Sequence, residues 1–114
     1  MIIGVGIDLV DIKKFAQLAV RPNFVNKYFS PDEVKLKFES LAARYAAREA
    51  FFKALTEQML FNWDDISVSS YSSGKPFFKF RNELEKYAAD KNIYLSLSHS
   101  KNSAIALVII EDFN

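Results

Sequence analysis

Through the opening MIIGVGI, apolar residues alternate with positions that carry no side chain, a period of two that marks a half-buried strand. Ile3, Val5 and Ile7 share one face of that strand, and Gly4, Gly6 and Asp8 share the other. The period then lengthens. In LVDIKKFAQLA the residues Leu9, Ile12, Phe15, Ala16 and Ala19 make a helical stripe that leaves Lys13 and Lys14 outside it. SPDEV carries a helix-start signal: Ser30 stands as cap, Pro31 at the first helical position and Glu33 three residues after the cap, so a short helix is expected to about Phe38. Residues 41–55 read as a long helix, apolar on nearly every side. ISVSS and FFKF flank the turn SSGKP as an antiparallel pair, and NELEKYAAD is a short helix. YLSLS and SAIALVII close the chain as strands joined through HSKN, where Asn102 is expected to take a positive φ. One strand, three helices, two strands, a helix and two strands make an α+β fold, with helices packed on a small, mainly antiparallel sheet.

At 114 residues the chain is expected to be a single domain, 1–114, burying roughly two-thirds of its unfolded surface. Half the residues are apolar and the net charge is +1, which excludes a disordered chain and a nucleic-acid binder that works through bulk charge. The absence of cysteine removes disulfides, thiolate metal sites and cysteine nucleophiles, so any metal must be held by oxygen or by the single histidine, His99. No apolar run approaches the ~20 residues of a membrane span, and the first residues lack a basic leader, so a soluble cytoplasmic protein without membrane partners is expected. Eleven phenylalanines and five tyrosines in so small an interior suggest that part of the apolar surface is covered by a partner subunit.

Three charges interrupt the otherwise apolar YAAREAFFKAL. At about 100° per residue, Glu49 and Lys53 share one face, flanked by Ala42 and Ala46, while Arg44 and Arg48 share another. An i,i+4 glutamate–lysine pair on a solvated surface contributes only about 0.3–0.5 kcal/mol. The apolar surround favours a second reading, a carboxylate and an ammonium above a floor of methyl groups, open to a ligand. Asp8 also has two readings. It can cap the helix that follows, with Asp11 as partner, or it can serve as a hard-metal ligand where two glycines leave space for a cation. His99 and the SGKP turn are equally double: a surface histidine or a phosphate contact, and a tight hairpin or a phosphate-binding lysine. No Walker loop is present, since its spaced glycines are missing.

Taken in order, GVGIDLVDIKKF, RYAAREAFFKAL, GKPFF and LSLSHSKNSAIALVII resemble the holo-acyl-carrier-protein synthases, small bacterial 4′-phosphopantetheinyl transferases, over essentially the whole chain. That resemblance implies the 4′-phosphopantetheinyl transferase fold, a homotrimer with active sites between subunits, and Mg2+ bound by Asp8 and Glu49. It implies that Lys53 contacts coenzyme A phosphate, that Gly74, Lys75 and Pro76 lie by the adenosine end, and that His99 lies by the phosphates. Lys13, Lys14 and Arg21 are the matches for basic residues that receive an acidic carrier protein. The implied reaction is transfer of 4′-phosphopantetheine from coenzyme A to a serine of apo-acyl carrier protein, with Asp8, Glu49 and Lys53 catalytic and Glu49 as candidate base. Arg44 and Arg48 are left as phosphate contacts or interface pairs. The chain departs from the family where LTEQMLFNW replaces a glycine-rich loop, and the segment before Arg44 is shorter than usual. A non-catalytic relative that binds carrier protein or coenzyme A is the alternative.

Overall fold

The computed structural model describes residues 1–21 and 23–113. The alternation of the first seven residues runs on to Asp11, giving strand β1, Ile2–Asp11. It pairs antiparallel with β5, Ser103–Asp112, down to Asp11↔Ser103. Helix α1 therefore spans Ile12–Ala19, starting three residues later than the helical stripe suggests. Leu9, Val10 and Asp11 gain ladder partners in Ile105, Ala104 and Ser103, and those hydrogen bonds outweigh an amphipathic pattern that reads equally well as a strand. The cap of α1 is Asp11, whose side chain accepts from the Lys14 N–H at 2.9 Å, and Asp8 has no capping role.

Beyond α1 lies a five-residue helix, α2, Phe24–Tyr28, which has no side-chain cap and no periodicity long enough to read from sequence. The helix expected after Ser30 is only a 3-10 turn, Glu33–Lys35. Half of its capping box forms, with the Ser30 N–H donating to Glu33 Oε1 at 3.0 Å, but the same carboxylate is drawn into the core by Arg48. Helix α3, Phe38–Ala54, follows. A second 3-10 turn, Trp63–Asp65, leads into the hairpin of β2, Ile66–Ser70, and β3, Pro76–Phe80. Gly74 turns that hairpin with φ +91°, a conformation open to glycine at little cost. Helix α4, Asn82–Ala88, and strand β4, Lys91–His99, complete the chain before β5.

The main sheet has the order β1-β5-β4, all antiparallel, and the hairpin forms a separate pair. The α+β architecture expected from the pattern is present, although positive φ falls on Asn82 at 56° and not on Asn102. The β4–β5 turn is closed by Ser100, whose hydroxyl accepts from the N–H groups of Asn102 and Ser103, so no left-handed residue is needed there. Asn82 instead donates through its side chain to buried Asp65 at 2.8 Å, which holds the start of α4 against the hairpin.

Helix α3 lies across the sheet with Ala46, Ala47, Ala50 and Phe51 fully buried against Ala106, Val108 and Ile110. A second cluster, around Ile12, Phe15, Phe29, Leu41 and Ala104, fills the other end beneath α1 and α2. Gly4 and Gly6 make the close approach possible, because a methyl group on either would collide with the backbone carbonyl of Ala54 or Ala50. The glycines thus admit the helix, and not a cation as the sequence suggests. The opposite face of the sheet is bare: Val5, Ile7, Leu9, Tyr94, Ile105 and Leu107 are all exposed. Ile3 does not join them, since a register shift between Ile2 and Gly4 turns it toward the core. Among the described residues no helix is long and apolar enough to cross a membrane.

Candidate functional site

With β1 held this close to α3, the far end of the glycine face brings Asp8 beside the last turn of the helix. Lys53 Nζ donates to Asp8 Oδ1 at 3.0 Å and to the Ile7 carbonyl at 3.1 Å. Glu49 stands one turn earlier on α3, half-buried, and makes no ion pair among the described residues. The structure therefore joins Asp8 to Lys53, and Glu49 precedes Lys53 by one turn on the same helix. Ala42 and Ala46, expected as an open floor, are fully buried, so the site is an edge between strand and helix and not a trough along the helix.

Tyr45 joins this group although the sequence pattern does not single it out. It lies one turn before Glu49 on α3. Burial first, then the charges of Glu49 and Asp8 and the neighbouring Tyr28, raise its phenol pKa above the ordinary tyrosine range. The i,i+4 spacing of Tyr45 and Glu49 is the signal that could have found it, but aromatic residues at helical spacing belong more often to a core.

The other pair of charges on α3 turns toward Glu33. Arg48 is fully buried and donates to both oxygens of Glu33 and, at 2.6 Å, to the Ile66 carbonyl. Its guanidinium also stands over the Phe29 ring at 4.7 Å. Arg44 Nε lies 3.8 Å from Glu33 Oε2, with burial pulling the Arg44 pKa down and Glu33 opposing. Arg48, fully buried, reaches neither a phosphate nor a partner chain, and both arginines tie α3 to the segment beneath it through Glu33.

Among the described residues no cluster of three His, Cys, Asp or Glu could hold a metal ion, and the candidate set from the motifs is the two carboxylates Asp8 and Glu49. Both donors are hard oxygens, and Asp8 Oδ2 makes no hydrogen bond among the described residues. This set fits Mg2+, which commonly takes one or two protein carboxylates and fills its shell with water and substrate phosphate.

His99 and the hairpin stand apart from this edge. His99 lines an open cleft of about 610 Å3 with Lys37, Glu39, Ser40, Ser100 and Lys101. Lys37 escapes a reading of the sequence, since the pattern places it at the end of a helix. Lys75 and Pro76 line a separate cleft of about 390 Å3 on the bare face of the sheet, with Tyr71, Phe77, Tyr94 and Leu107. Gly74 is exposed at the tip of its turn. A third hollow, about 840 Å3, lies under the glycine-free segment after α3 and is lined by Phe52, Lys53, Leu55, Met59 and Leu60. Lys13 and Lys14 are exposed on α1, and Arg21 follows its end, with its N–H donating to the Leu18 carbonyl.

Residues 4–108 match the 4′-phosphopantetheinyl transferase superfamily. A holo-[acyl-carrier-protein] synthase of Clavibacter sepedonicus is 40% identical over 115 residues, covering 97% of each chain. Among solved structures, the acyl carrier protein synthase of Mycobacterium tuberculosis superposes with a TM-score of 0.81 at 34% identity, over 98% of this chain and 99% of that one. An ACPS–CoA complex from Chronobacterium ammoniagenes gives 0.83 at 30% identity, over 97% and 98%.

Proposed function

The chain belongs to the 4′-phosphopantetheinyl transferase superfamily, and on that premise we propose that it acts as a holo-acyl-carrier-protein synthase from the edge where Asp8 meets Glu49 and Lys53. It transfers 4′-phosphopantetheine from coenzyme A to a serine of apo-acyl carrier protein and releases adenosine 3′,5′-bisphosphate. The observation that carries the site assignment is the convergence of a strand carboxylate and two helix charges at one solvent-open edge, where two glycines let strand and helix approach.

Asp8 and Glu49 would hold Mg2+ there, which when bound offsets the charge that builds on the pyrophosphate during cleavage. Lys53 is on a flexible, half-exposed stem and can leave Asp8 to meet the departing phosphate, which it stabilises or protonates. Glu49, lacking a cation of its own among the described residues, is the group free to accept the serine proton. His99, with Lys37 and Lys101 beside it, meets phosphate, and Gly74, Lys75 and Pro76 meet the adenosine end. Exposed Lys13, Lys14 and Arg21 receive the acidic carrier protein.

The cleft that Lys75 and Pro76 line does not include Asp8, Glu49 or Lys53, and the bare face of β1 and β5 is apolar. Both features support a homotrimer in which coenzyme A lies between subunits. Light scattering should return three chains per particle at micromolar concentration; a fully active monomer would contradict the shared site. Incubation with apo-carrier protein, coenzyme A and Mg2+, followed by the intact mass of the carrier, tests the activity. Addition of phosphopantetheine is expected. Binding without a mass change would favour a non-catalytic module.

A further inference from the structure

We propose that the hollow beside Lys53 is an acyl subsite, so that coenzyme A thioesters of uncharged aliphatic acids serve as donors and the carrier receives acyl-phosphopantetheine in one step. The inference rests on the reading of Lys53 as a phosphate contact. It starts from the segment after α3, where Leu55, Met59 and Leu60 bring apolar side chains to a place where a glycine-rich loop would bring none. Phe61 and Trp63 fold that segment back on α3: their ring centroids lie 6.5 and 6.1 Å from that of Phe52 and 5.4 Å from each other. The hollow, about 840 Å3, is lined by Phe52, Leu55, Met59 and Leu60, with Lys53 among them. Phe52 is 54% and Leu60 95% exposed, so apolar surface is left for a ligand to cover.

The layout of coenzyme A selects the occupant. Its β-phosphate joins the adenosine end to the pantetheine arm, and the adenosine end is assigned to the hairpin, so a hollow that opens at Lys53 faces the arm. Thr56 and Gln58 on its wall offer uncharged hydrogen-bonding groups for the two amides of that arm. A bare thiol at the end of the arm covers little apolar surface. An acyl chain on the thiol covers the leucines and Met59, whose flexible thioether adapts to chains of different length. Each methylene fully buried there strengthens binding about fourfold. Lys53 is the one cation among the lining residues and is engaged by Asp8 or by phosphate, so a carboxylated chain such as malonyl finds no counter-ion. Chemistry at phosphorus is unchanged: the carrier serine oxygen bonds to the β-phosphorus, the bond from that phosphorus to the bridging oxygen of adenosine 3′,5′-bisphosphate breaks, the serine proton passes to Glu49, and the thioester stays intact.

The test supplies apo-carrier and Mg2+ with coenzyme A, hexanoyl-coenzyme A or malonyl-coenzyme A, follows the intact mass of the carrier with time, and measures donor affinity without carrier by titration calorimetry. Hexanoyl-coenzyme A should bind and react about tenfold better than coenzyme A, and malonyl-coenzyme A no better than coenzyme A. The double variant Met59→Gln, Leu60→Gln should lose the hexanoyl advantage and keep the wild-type rate with coenzyme A. Leu60→Gln alone, at a position 95% exposed and so tolerant of a polar side chain, should lose part of it. Equal kcat/KM for coenzyme A and hexanoyl-coenzyme A, an advantage that survives both variants, or malonyl transfer as fast as hexanoyl transfer overturns the acyl subsite and leaves the synthase reading standing. No carrier product from coenzyme A itself overturns the synthase reading, and acyl transfer with it.

Discussion

Helix α3 carries an ion pair on each of two sides. On one, Arg48 and Glu33 have side chains 0% and 3% exposed; on the other, Lys53 and Asp8 are 53% and 16% exposed. The buried pair is heavily bonded: Glu33 accepts from Arg48, from the Ser30 N–H and from the Val68 N–H, and Arg48 also reaches the Ile66 carbonyl, leaving only its Nε without a partner among the described residues. Desolvated charges need several such partners, and the result is a joint between the 3-10 turn, α3 and β2. The open pair is under-committed. Among the described residues one oxygen of Asp8 is unbonded, Glu49 nearby has no counter-ion, and Lys53 is held only by contacts that water can replace. Four charges of the same kinds, packed around one helix, thus serve opposite ends. Burial and many partners make the first pair structural, and exposure leaves the second open to the ligands proposed for it.

The sharpest way to break this contrast is to remove one cation from each side. Arg48→Met should destabilise the chain by about 3–5 kcal/mol, because it strands a buried carboxylate, whereas Lys53→Met should cost less than about 1 kcal/mol. Urea unfolding curves for the two variants check this, and equal losses would erase the distinction. Turning to activity, Asp8→Ala or Glu49→Gln should lower transfer at least about 1,000-fold, some 4 kcal/mol of transition-state stabilisation, with little change in unfolding. Intact-mass assays across a Mg2+ titration measure it; wild-type rates at limiting metal would remove both residues from the site. Lys53→Ala is expected to have an intermediate effect, about 10–100-fold on kcat, with Mg2+ dependence retained, since it deletes a phosphate contact and not a metal ligand. The smallest effect belongs to Lys14→Glu, outside both pairs. It should raise KM for carrier protein several-fold and flatten its dependence on salt, as a steering contact becomes a repulsion within a Debye length of about 8–10 Å. KM for coenzyme A should stay put; equal shifts in both constants would move carrier docking elsewhere.

Much of the fold is legible in the order of residues. The hairpin around Gly74, α4 and the last two strands fall where turn residues and periodicity put them, because each is a local pattern with a local cause. Asp8, Glu49 and Lys53 are legible as motif residues, and the fold joins Asp8 to Lys53. Other expectations fail for tertiary reasons. LVD could begin a helix, and pairing with β5 makes it strand; SPDEV could cap one, and Arg48 takes its glutamate. The surplus of aromatic residues suggests a partner surface, yet most of the rings stack on one another inside the chain, from Phe15 through Tyr45 and Tyr28 to Trp63. The uncovered apolar face belongs mainly to aliphatic residues of β1 and β5.

The sequence by itself determined the element types with short-range signals, the family pattern, and the candidate groups for the chemistry, because spacing along one helix or strand follows from backbone geometry alone. Only the tertiary structure decided what each charge is for. Arg48 and Lys53 are five residues apart on the same helix, and nothing in their spacing says that one points into the core and the other to an open edge. That depends on what packs against each face, on Gly4 and Gly6 letting β1 approach one side and on the 3-10 turn carrying Glu33 to another. Burial, and with it the energetic meaning of a charge, is a property of contacts between segments far apart in the chain.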